Sequence, residues 1–159
     1  MHAGGLIGDH TAGSFVAVLH RDAPVTVWAT GASTPCISAF KPVFFGSGVP
    51  VHASDEEGRA YWLERERLHR AVLAGKVDVE ALRARRDALE AAWQEEEARM
   101  FASRTPDPAE LYAFAALASA EEQEMVDAFS SDKWSEMPGR GYFGRYWRKK
   151  NSTLGAARR

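Results

Sequence analysis

The sequence predicts an α+β chain, with an antiparallel β-hairpin and a short extended segment in front and a helical hairpin and third helix behind. Three observations carry this. Residues 14–45 contain apolar, β-branched runs of strand length, and residues 55–129 repeat apolar side chains at helical spacing between capping signals. Charge changes at the same places. Residues 1–54 hold two acidic and two basic side chains with four of the five histidines. Residues 55–137 hold twenty acidic and eleven basic side chains, and residues 138–159 hold seven basic and none acidic. The chain thus divides into a β-rich segment (1–54), a helical segment (55–137) and a basic aromatic tail (138–159), read as parts of one domain.

Residues 14–20 read Ser-Phe-Val-Ala-Val-Leu-His. Alternation puts Phe15, Ala17 and Leu19 on one face and Val16 and Val18 on the other, so this strand is apolar on both sides. Residues 25–30, Val-Thr-Val-Trp-Ala-Thr, follow a short Arg-Asp-Ala-Pro connection and complete the hairpin. The extended stretch 36–45 contains Pro42, which confines it to a sheet edge or an irregular segment. A ribbon with two apolar faces needs a layer on each. The helices supply one. Pattern alone leaves two readings for the other face: a small domain whose helices wrap the ribbon, or part of a larger β-sandwich or obligate assembly.

Asp55, Glu56 and Glu57 open the first helix, where the macrodipole favours negative charge, and Gly75 ends it. Asp78 caps the second, which runs to about residue 102 with Leu82, Leu89, Trp93 and Met100 on one stripe. Glu66/Arg70 and Glu95/Arg99, four residues apart, read as pairs on a solvated face. Asp107, Pro108 and Glu110 form a strong helix start, and Leu111, Phe114, Ala118, Met125 and Phe129 mark the third helix's buried side.

The 45% hydrophobic content excludes a disordered chain, and one cysteine excludes a disulfide scaffold or multi-cysteine zinc site. No stretch approaches the roughly 18 apolar residues of a membrane helix, and residues 1–30 lack a secretory pattern. The expectation is a cytoplasmic chain with no membrane partner. Cys36 reads as a small buried hydrophobe, and the histidines lack metal-ligand spacing, so neither metal nor cofactor is expected. Residues 4–8, Gly-Gly-Leu-Ile-Gly, do not follow a strand and open a helix, as a phosphate loop would. The basic aromatic tail could neutralise phosphates and stack on bases. The acidic middle segment and a pI near 6.2 point instead to tail aromatics packed on the helices, with no nucleic-acid partner.

Residues 11–16 (Thr-Ala-Gly-Ser-Phe-Val), then 28–31 (Trp-Ala-Thr-Gly) and 35–45 (Pro-Cys-Ile-Ser-Ala-Phe-Lys-Pro-Val-Phe-Phe), resemble in order and spacing the C-terminal part of the secernin and dipeptidase-A group of cysteine hydrolases. His2-Ala3-Gly4, the helix carrying Trp62, Glu66, His69 and Arg70, and Tyr146-Trp147 extend the likeness. The resemblance implies an N-terminal-nucleophile hydrolase with an αββα sandwich, here in part. Its mature N-terminal cysteine attacks an amide carbonyl, with its own α-amino group as base and an oxyanion hole holding the intermediate. Water then hydrolyses the acyl-enzyme. Dipeptides are substrates of bacterial members, and related groups cleave penicillin or bile-acid amides.

This sequence departs from the family where activity is decided. Met1 and His2 stand at its start, so removal of the initiator exposes no cysteine, serine or threonine, and Cys36 lies too far from the start to inherit the role. The expectation is a C-terminal portion of a dipeptidase-like hydrolase, inactive alone and without catalytic residues of its own. Thr11 and Ser14 are its substrate-cleft candidates. The expected partner is the missing N-terminal portion or a self-associated copy, with a dipeptide-like substrate once completed. The alternative is a noncatalytic module that binds another protein through its apolar sheet face or helical hairpin.

Overall fold

A computed structural model describes residues 11, 13–50, 52–102 and 104–156. It is a mixed α+β architecture in which a small antiparallel sheet is followed by four helices among the described residues. Strands β1 (Ser14–Val18), β2 (Thr26–Thr30) and β3 (Lys41–Phe44) pair in sequence order. Val16 lies opposite Trp28, and Trp28 opposite Pro42, which fixes the register across all three. Pro42 sits on the edge strand β3, as its missing N–H requires. A one-turn 3-10 helix, Pro35–Ile37, breaks the stretch expected to be extended before β3.

Register sorts the side chains. Thr26, Trp28, Thr30, Pro42 and Phe44 face the helices and are buried. Phe15, Ala17, Val27, Ala29 and Val43 belong to the opposite face. Among the described residues the first strand is not enclosed between layers. It is an edge strand that ends at Val18, two residues before the apolar run does, because the chain turns toward the helices and the His20 ring stacks on Phe101.

Helix α1 (Asp55–Leu73) starts at Ser54, whose hydroxyl accepts the Glu57 N–H. It ends in a Schellman turn: Gly75, at φ +68°, donates to Val72 and Lys76 donates to Ala71. Helix α2 (Val79–Phe101) is capped by Asp78, which accepts the Glu80 and Ala81 N–H groups. Helix α3 (Pro108–Ala128) begins with the full capping box of Asp107 and Glu110. The expected starts of α2 and α3 agree with the structure. The most extensive helix–helix packing is α2 on α3, not α1 on α2, and α3 packs most extensively on β3.

Trp28, Phe44, Leu82, Leu89, Trp93, Leu111, Phe114 and Met125 join in one core. Met100 and Phe129 only flank it, half-buried. The tail, read only as basic and aromatic, forms a helix, α4 (Tyr142–Ala156). Its Trp147 packs in a satellite cluster with Ala74 and Met137, so the expected packing of tail aromatics on the helices is found at this residue. A Cβ at Gly144 would stand 2.6 Å from the carbonyl oxygens of Pro138 and Gly139, which leaves room only for glycine in this turn. No described helix is long and apolar enough to cross a membrane.

Candidate functional site

Two features stand out: the sheet face turned away from the helices, and the ionic groups buried on the helix side. On the open face, Phe15 is 72% exposed, and Phe45, just past β3, is 77% exposed. Val27, Ala29, Val43, Phe45 and Val49 line a shallow apolar depression of about 350 Å³. On the helix-facing side of β1, Val16 is still 57% exposed. Among the described residues this strand is therefore exposed on both faces.

Behind the sheet, Glu122 of α3 is buried and faces two cations. Arg65 of α1 forms a two-pronged ion pair with it, Nε donating to Oε1 at 3.1 Å and Nη2 to Oε2. Lys41 of β3 places its ammonium 3.1 Å from Oε2 and donates to the Tyr61 hydroxyl. Burial alone raises a carboxyl pKa, but Lys41 and Arg65 outweigh it here and hold Glu122 below its ordinary value. Because β3, α1 and α3 each contribute, the cluster clamps the sheet to its helical backing. Its polar atoms serve one another: the Tyr61 hydroxyl that accepts from Lys41 in turn donates to Glu122 Oε2 at 3.4 Å.

A second buried pair corrects the sequence reading. Glu66 and Arg70, expected on a solvated face, are both buried and joined at 2.7 Å. Trp147 from α4 packs on Arg70, whose guanidinium lies 4.2 Å from the ring centre, because the tail folds back onto α1 as a helix. Burial pulls the Arg70 pKa down, partly offset by Glu66. Arg99 bonds to Glu96, three residues earlier, rather than to Glu95.

Cys36 is also corrected, since it is exposed. The 3-10 turn directs Ile37 and Ala39 into the core and leaves the thiol outside, while Arg86 donates to the Cys36 carbonyl. Thr11 and Ser14 lie at one end of the sheet. The Thr11 carbonyl accepts the Thr34 N–H at 3.3 Å, and Ser14 stands opposite Thr30. Neither lines the depression on the open face. His2, His10 and the glycine-rich residues 4–8 lie outside the described residues, as does His2-Ala3-Gly4 of the resemblance. Among the described residues no group of three His, Cys, Asp or Glu side chains is arranged to hold a metal ion.

The buried clamp was missed in the sequence, although one signal was present. Glu122 falls four residues after Ala118 and three before Met125, inside the apolar stripe of α3, where a solvated glutamate has no place. Comparison with family models, curated proteins and solved structures finds no match.

Proposed function

We propose that this chain works by association, supplying a helix-backed sheet to a larger two-sheet sandwich, and that the completed assembly is a dipeptidase-like amide hydrolase. The observation that carries the association is the uncovered apolar face of Phe15, Ala17, Val27, Ala29, Val43 and Phe45. A second sheet laid on such a face removes apolar area from water at roughly 25 cal/mol per Å². The hydrolase part rests on the secernin and dipeptidase-A resemblance in residues 11–45. On that reading the partner is the N-terminal portion of the same enzyme, and it brings both the nucleophilic cysteine and its α-amino base. Thr11 and Ser14, at the sheet end, would border the shared cleft without a chemical role.

A noncatalytic binding module is the second reading. It is favoured by the place of Cys36 on an outer turn, with an arginine on its carbonyl and no base among the hydrogen-bond partners described there. Co-expression with a companion chain that presents an N-terminal cysteine tests the first reading, using a dipeptide panel as substrate. Turnover only when both chains are present supports it. A stable complex without turnover favours the module, and turnover by this chain alone, lost in Cys36→Ala, overturns both.

A further inference from the structure

Two features that a second sheet on the open face leaves unused meet along β1. The first is its backbone edge. In the order β1-β2-β3, β1 pairs only with β2 among the described residues, and alternate N–H and C=O groups point outward. Ser14–Val18 contains no charged residue or proline of the kind that blocks strand addition.

The second is a groove of about 530 Å³ between β1 and α2. Val16, Val18, Trp28 and Phe40 line it on the sheet side, and Glu90 and Glu97 on the helix side. Glu90 is committed, accepting the Phe40 N–H at 2.8 Å. Glu97 is not. Its Oε1 is buried and accepts no hydrogen bond among the described residues, with His20 Nε2 3.9 Å away. That histidine is already held by the Thr26 hydroxyl at 3.3 Å and by the Phe101 ring. A carboxylate oxygen left dry in this way favours an incoming donor.

We propose that the β1 edge and this groove form a strand-addition site for an extended apolar polypeptide segment bearing one lysine or arginine that reaches Glu97. An added antiparallel strand places residues opposite Val16 and Val18 on the groove side, and the residues between them on the open face. A long basic side chain on the groove side lays its methylenes on Val16, Val18 and Trp28 and brings its cation to α2. A second copy of this chain fits less well. Symmetric antiparallel pairing of β1 with itself keeps both helix layers on one side, so it sets Glu90 and Glu97 of one copy beside those of the other. Since β1 carries no cation, Glu97 stays unmet. The proposal concerns the edge rather than the open face, so it stands or falls separately from the sandwich reading.

The probe is an acetylated, amidated heptapeptide of alternating valine and threonine with a central lysine, titrated against the full chain and followed by amide chemical shifts and hydrogen exchange. The lysine peptide should protect the outward amides of β1 and bind about tenfold more tightly than its norleucine counterpart. In Glu97→Gln that preference should disappear while norleucine-peptide binding is unchanged. The comparison of the two peptides on the unaltered chain serves if the variant fails to fold. Equal binding of both peptides overturns the role of Glu97, and equal binding of a peptide N-methylated along its pairing edge overturns strand addition. Protection of β1 amides by concentration-dependent dimerisation, without peptide, assigns the edge to a second copy and overturns the proposal.

Discussion

Phe44 and Phe45 are adjacent in sequence and opposite in environment: the first is 1% exposed, the second 77%. Phe44 lies among the aromatic rings of the helical layer, with Phe114 5.9 Å and Phe101 6.1 Å away. Phe45 has the open face and water. The same contrast holds across β2 and β3, one side closed by helices and locked by charge, the other apolar and bare, whereas β1 is exposed on its helix side as well. Hydrophobicity alone does not separate these two phenylalanines. What separates them is which layer the chain provides, and it provides helices for one side only among the described residues.

The sharpest way to break this comparison is to truncate both rings. Phe44→Ala should cost about 3–5 kcal/mol, the usual loss for a buried aromatic whose site cannot collapse. Phe45→Ala should stay within about 0.5 kcal/mol, as for a surface change. Urea denaturation of the isolated chain measures both. If Phe45→Ala is also costly, the open face is covered in solution, and the mass of the species at the same concentration tells whether another copy covers it.

Charge tests the closed side. Glu122→Gln removes the one anion that Arg65 and Lys41 share, leaving among the described residues only the exposed Glu64, 3.5 Å from Arg65, against two largely buried cations, and should destabilise by about 3 kcal/mol. Linkage gives a matching pH effect. Because the folded pKa of Glu122 lies below the unfolded one, its contribution is complete above the ordinary carboxylate range. It is lost as pH falls from there through the depressed folded value. Denaturant midpoints measured from pH 7 down to pH 3 should therefore drop less steeply in Glu122→Gln than in the parent. Parallel curves would mean that the cluster does not select the charged form.

These contrasts show which parts of the fold were legible. Local signals located the elements, since Ser54, Asp78, Asp107 and Gly75 each satisfy or end a helix by bonds within a few residues. Pro42 likewise placed β3 at an edge. The tail helix was hidden because its apolar side is narrow. Gly144, Trp147 and Asn151 form the buried stripe, and only one of them is a large apolar residue. Burial of Arg70 was hidden for the same reason, since it depends on Trp147 arriving from the far end of the chain. Of the site, the apolar character of β1 was readable, whereas Glu97 and Glu122 acquire meaning only from what tertiary packing puts beside them.

Docking of α4 supplies a smaller effect on the closed side. Gly144→Ala forces the first turn of α4 away from the Pro138 and Gly139 carbonyls, beside the Met137 and Gly139 carbonyls that Arg148 holds, and should cost about 1–3 kcal/mol. Release of Trp147 from Arg70 should appear as a shift of tryptophan emission and faster proteolysis near residue 140. An unchanged emission spectrum would show that the turn relaxes locally without undocking the helix.

Cys36 gives the smallest expected change and a direct check on which side the 3-10 turn presents. Its neighbours Ile37 and Ala39 are buried, so the turn must hold its shape for the core, yet the thiol itself touches water. Cys36→Ser replaces a solvated group by one of similar size and should leave stability within about 0.5 kcal/mol. A thiol reagent should label the folded chain at a rate close to that of the unfolded chain, because no opening is needed to reach the sulfur. Ile37→Ala, one residue on, should cost about 2–4 kcal/mol, since it empties a core position. Labelling that waits for denaturant would place Cys36 inside. The turn would then be rotated by about a residue, with Ile37 outward, and its truncation would be nearly neutral.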